Sequence, residues 1–91
     1  MTDDPAAEAQ TRTNFRITAD AAQRVAGVIA ARSRGELADA DRLLASMDDH
    51  TRAAGSVFLA DLAIGLLASY EQRPVSEVAA ELSLQIAAVS T

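Results

Sequence analysis

Residues 53–68, AAGSVFLADLAIGLLA, are the most apolar stretch of this 91-residue chain, and a single charge, Asp61, lies inside it. A surface helix alternates apolar and polar faces, so a stretch this apolar requires cover on nearly every side. In so short a chain that cover comes from a few other helices or from a second copy. The stretch is therefore expected to organise the fold and to be the main pointer to self-association. Its 16 residues fall short of the roughly 20 that a membrane span needs, and a carboxylate inside it is costly in lipid. No membrane association is expected.

Hydrophobic residues make up 49% of the chain, yet only Phe15, Phe58 and Tyr70 are aromatic, so the core has to be built from Ala, Leu, Val and Ile. Alanine has the best helix propensity, and with four Gly and two Pro helix is favoured almost everywhere. The absence of cysteine excludes disulfide frameworks, thiolate zinc sites and cysteine nucleophiles. A domain of this size without such staples is well packed or stabilised by association. The net charge of −5 argues against general nucleic-acid binding, which needs a cationic face. All eight basic residues are Arg, a bias that codon usage in a GC-rich genome explains as readily as a partner surface. The acidic, polar start MTDDPAAEAQTRTN lacks the basic and apolar regions of a secretory signal, and a cytoplasmic location is the expectation.

Residues 1–16, polar and without period, read as a flexible N-terminal arm, and 17–91 as a single helical domain. Thr18 is a plausible N-cap for a first helix over about 19–34, whose apolar stripe is Ala21, Ala22, Val25, Val28 and Ile29. Gly35 follows as its stop. A second helix, about 36–47, carries Leu37, Ala40, Leu43, Leu44 and Met47 on one side. Asp48 and Asp49 supply a cap for the third helix, about 50–72, which Arg73-Pro74 breaks. The fourth, about 75–89, has the stripe Val75, Val78, Ala79, Leu82, Ile86 and Val89, with Glu77, Glu81 and Gln85 on its wet side. Short joints between four helices predict an all-α fold, a compact antiparallel four-helix bundle or array.

Two segments carry local resemblances. In ARSRGELADADRLLAS, residues 31–46, a helix, a glycine and then Leu37 and Ala40 resemble the hairpin turn of tetratricopeptide repeats. Such repeats work by stacking several copies, and the large aromatics of the motif are absent, so the segment reads as a generic helical hairpin. VAAELSLQIAAVST, residues 78–91, resembles a helix-turn-helix, with Ser83 where glycine is usual. That resemblance implies a second helix in the DNA major groove. No Arg or Lys follows Arg73, however, and the stripe from Val75 to Val89 runs on as one helix.

Groups able to do chemistry are few. His50 beside Asp48 and Asp49 makes three potential ligands, but adjacent residues at a helix start do not converge on one ion. Acidic caps beside an exposed histidine is the reading preferred. Glu36, Asp39, Asp41, Asp48 and Asp49 make the second helix region acidic, next to a first helix bearing Arg24, Arg32 and Arg34. Pairing across the hairpin or solvation accounts for this. On a helical wheel His50, Ala54, Asp61, Gly65, Ala68 and Gln72 share one polar or small seam of about 60°, which is expected to face water, since burial of an unpaired carboxylate is so costly. The remaining faces of the third helix, with Val57, Phe58, Leu59, Leu62, Ile64, Leu66 and Leu67, are expected to be covered.

Together these features predict a small, acidic, non-catalytic interaction or adaptor module without cofactor or metal. It is expected to self-associate, as a homodimer of two-fold symmetry, through apolar faces of the third and fourth helices. The candidate contact residues are Phe58, Leu62, Leu66, Val78, Leu82 and Ile86, with Asp61 beside them. The alternative is a transcription-related DNA-binding protein using residues 78–91.

Overall fold

The computed structural model describes residues 4–90, and these form the expected all-α fold of four helices, with no strand among them. The helices are α1 (Pro5–Ser33), α2 (Leu37–Ala45), α3 (Asp49–Glu71) and α4 (Val75–Val89). α1 packs on α2 and α3, and α3 on α4. By their contacts the residues divide into two compact units, Met1–Leu59 and Ala60–Thr91. The division falls inside α3, which supplies residues to both.

The largest departure from the sequence reading is the start of α1. Helix begins at Pro5 and not near residue 19, so residues 5–16, read as an arm, are helical. The signals are local. Asp4 is the N-cap, its Oδ1 accepting from the Ala6 N–H at 3.0 Å, and Pro5 occupies the first turn, where its missing N–H costs nothing. Ala6, Ala7, Glu8, Ala9 and Gln10 then propagate the helix by propensity alone. Thr18, expected as an N-cap, lies in mid-helix, with its hydroxyl donating to the Asn14 carbonyl at 3.0 Å. The lack of hydrophobic period in this segment signalled exposure, and residues 4–17 are indeed exposed. It did not signal the absence of helix.

The joints follow from capping chemistry. At the end of α1, the Gly35 N–H donates to the Arg32 carbonyl at 3.0 Å and the Glu36 N–H to the Ala31 carbonyl at 2.9 Å, a Schellman closure that requires the left-handed residue between. Gly35, at φ 78°, adopts that conformation without a Cβ penalty. α3 closes the same way, with the Gln72 N–H on the Ser69 carbonyl (3.3 Å) and the Arg73 N–H on the Ala68 carbonyl (3.0 Å). Here the left-handed residue is Gln72, at φ 55°. A side chain in that conformation costs about 1 kcal/mol, so Gln72→Gly is expected to stabilise the fold by about that amount, measured as a shift of the urea midpoint. Pro74 then opens α4.

At the start of α3, Asp48 Oδ1 accepts from the Thr51 N–H at 2.7 Å. This hydrogen bond, followed by one from the Thr51 side chain, holds the Asp48 carboxyl below the usual aspartate range. Glu36 is held low as well, first by its hydrogen bond to Arg34, at 2.8 Å. Because both folded pKa values are depressed, their contribution is complete above the unfolded values, near pH 4, and is lost as pH falls through the folded ones. Asp48→Asn keeps a capping oxygen without a titrating proton. It is expected to unfold like the parent near pH 7 and to show a shallower loss of stability below pH 4, read by thermal melts across that range.

The core is made of small side chains. In the first unit Ala21 and Val25 of α1 meet Met47, with Leu59 packed against them, and Val28 and Ala31 meet Ala40 of α2 under Leu43 and Leu44. Two members of the expected apolar stripes, Ile29 and Leu37, are exposed instead; alanines at 31 and 40 fill the contact that they flank. In the second unit the buried residues are Ala68 and Val78, at 2% and 1% exposure. Val78 is the largest side chain buried this completely.

Candidate interaction surface

α3 was expected to cover its large residues and wet its small ones, and several positions show the reverse. Val57, Leu62, Leu66, Leu67 and Tyr70 are exposed. The close contacts are made by glycine and alanine. Gly55 is buried against α1, so close that a Cβ built on it would lie 2.8 Å from the Ala21 carbonyl carbon and Cβ. Ala68 is buried in the second unit. Small residues permit backbones to approach, and the bulky neighbours of such a contact are left outside it. The seam expected to face water is therefore divided: His50, Asp61 and Gln72 are exposed, Ala54 and Gly65 half-buried, and Ala68 buried.

The residues proposed from sequence as one contact surface are not gathered into one. Phe58 belongs to the first unit, half-buried, and its ring stands edge-on to Phe15 at 5.6 Å between centroids and 68° between planes, a favoured aromatic geometry. Val78 is core. Leu62 and Leu66 lie four residues apart on α3, and with Tyr70 they form a bare stripe. At 100° per residue the centre of this stripe, Leu66, is about 160° around the helix from buried Ala68. Leu82 is half-buried, and from it the α4 stripe runs on into open surface through Ile86 and Val89, 67% and 86% exposed. Leu82, Gln85, Ile86, Val89 and Ser90 line a shallow groove of about 310 Å³ there. Asp61 is exposed, with no ion pair recorded among the described residues. Tyr70 and Val89, which the sequence reading did not single out as contacts, are the most exposed of the large apolar residues. Their positions at i+4 from Leu66 and i+3 from Ile86 were the available signal.

The polar edge of the second unit closes on itself. The Arg73 guanidinium donates to Glu71 at 3.2 Å and to Glu81, and lies 3.7 Å from Glu77. These contacts, the Glu81 hydrogen bond first, push its pKa further up. Glu77 and Glu81, expected only to be wet, are thus the counter-charges of the last basic residue in the chain. Beyond Glu81 no charge occurs through Thr91. α4 is continuous from Val75 to Val89, with no turn at Ser83. Among the described residues no group of three or more His, Asp or Glu is placed to hold a metal ion, and no polar or charged residue is buried. The 16-residue apolar run lies within a helix of 23 residues, which by length and composition alone is apolar enough to cross a membrane. Comparison with protein-family models, curated proteins and solved structures finds no match.

Proposed function

We propose that this chain is a small, non-catalytic protein–protein interaction module that self-associates through apolar surface of α3 and α4. The observation that carries the reading is the inverted burial of the second unit: its core holds Ala68 and Val78, while Leu62, Leu66, Tyr70, Ile86 and Val89 remain bare. Apolar side chains left bare in this way are the kind of surface that marks an interaction site. The lack of buried polar groups among the described residues also favours a binding role over catalysis, because catalytic groups are tuned by burial and close neighbours.

Light scattering over a range of concentrations tests it. The expected molar mass rises above the 9.5 kDa of one chain; a strict monomer at high concentration overturns the reading. The DNA-binding alternative predicts a mobility shift of duplex DNA at low salt, where phosphate contacts are strongest. No shift is expected, because Arg73 is engaged by three carboxylates and nothing basic follows it.

A further inference from the structure

We propose that α4 is a hinged helix with Arg73 as its latch, and that it opens about residues 72–74 while the first unit stays folded. The hold of α4 on the second unit is short. Val78 is buried and Ala79 and Leu82 are half-buried, but every other residue from Val75 to Ser90 is exposed. The covered positions fall within about one turn, and residues 83–90 lie on the surface throughout. On α3 this unit covers Ile64, Gly65 and Ala68, two of which offer almost no side chain to grip. The second unit buries two hydrophobic residues completely, the first unit seven, from Ala21 to Met47. Few buried apolar contacts place a segment at the low end of the range of opening free energies. Once undocked, a helix of 15 residues is marginal in water, so opening also frees its backbone amides.

Arg73 is placed to set how often this happens. Its backbone closes α3, the N–H donating to the Ala68 carbonyl at 3.0 Å. Its side chain grips α4, donating to Glu81 and lying 3.7 Å from Glu77. Glu77 is four residues on and can be kept by α4 alone. Glu81 is eight residues on and is reached only while the joint holds its angle. Every other ion pair among the described residues links groups two to four residues apart. This is the one that reaches from a joint two turns into a helix. Pro74 fixes its own φ, so residues 72 and 73 absorb most of the change, as hinges of a few residues do.

Hydrogen exchange of the dilute protein, followed amide by amide, tests this independently of self-association. The amides from Ala79 to Val89 are expected to exchange at least about tenfold faster than those from Ala22 to Ala31. Arg73→Gln keeps the backbone closure and removes the charge. It is expected to speed the α4 amides together, by roughly two- to fivefold as exposed ion pairs allow, with α1 and α2 unchanged. Salt near 1 M, where the screening length is about 3 Å, is expected to do the same to the parent and little to the variant. Arg42→Gln, which breaks a pair within α2, leaves α4 unchanged as the control. Rates that fall smoothly from Ser90 inward, without response to Arg73→Gln, mean fraying of the helix end and overturn the proposal. Exchange in α4 as slow as in α1 overturns it too, as does an even acceleration of the whole chain by Arg73→Gln.

Discussion

Replacing Gly55 by alanine is expected to lower the unfolding free energy by about 1–3 kcal/mol, the range for forcing an extra methyl into a packed contact. The new Cβ would lie 2.8 Å from both the carbonyl carbon and the Cβ of Ala21. A backbone atom cannot rotate away as the end of a long side chain can, so α1 and α3 would have to separate locally. In a chain of this length each kcal/mol moves the melting midpoint by about 4–8 °C, and a thermal melt reads the effect directly. Adding Ala21→Gly removes one of the two clashing groups and is expected to restore part of the loss, because the backbone carbonyl remains. The same change ten residues along has the opposite sign. At Gly65 an added Cβ meets nothing within 4 Å, so Gly65→Ala gains helix propensity at no packing cost, worth about 0.5–1 kcal/mol. If both variants are stabilised alike, the close approach of α1 and α3 at Gly55 does not exist.

The second large effect separates core from contact surface. Val78 and Ile86 stand eight residues apart on one apolar stripe, and from the sequence they are equivalent. Val78→Asp places a carboxylate where 1% of the residue is exposed, a burial of unpaired charge that belongs to the costly tail of single substitutions, on the order of 4 kcal/mol. Such a loss is a large part of the roughly 5–15 kcal/mol that holds a domain together. The variant is expected to lose helical circular dichroism at low urea. Ile86→Asp, on surface 67% exposed, is expected to leave the stability of the dilute monomer within about 0.5 kcal/mol. At high concentration it returns the molar mass to that of a single chain, since the carboxylate would have to be buried in the contact. Equal destabilisation of the dilute protein by both would place Ile86 in the intramolecular core.

Some of this was readable before any coordinates. The stop at Gly35, the cap at Asp48 and the break at Pro74 were read where the structure has them, and the bounds of α4 agree residue for residue. Each depends on groups within about five residues of one another, where the sequence itself holds both partners. The start of α1 was missed although its signal, Asp4-Pro5 before an alanine-rich turn, is equally local. Hydrophobic period is absent there, and period reports burial, not helix. Of the residues proposed as a contact surface, Leu62, Leu66 and Ile86 are exposed, whereas Phe58 is engaged by Phe15 and Val78 is buried in the core.

What the sequence by itself determined is the inventory: four helices, their joints, and a third helix more apolar than a chain of this length can cover. Propensity, capping and composition suffice for that, because they act along the chain. Which face of α3 packs was decided only by the tertiary structure. Apolarity ranks Leu62 and Leu66 above Gly55 and Ala68, yet close approach of helix backbones favours the side chains that occupy least space. That preference arises only when a second helix is present, and its consequence is that Leu62, Leu66 and Leu67 of the most apolar segment remain on the surface.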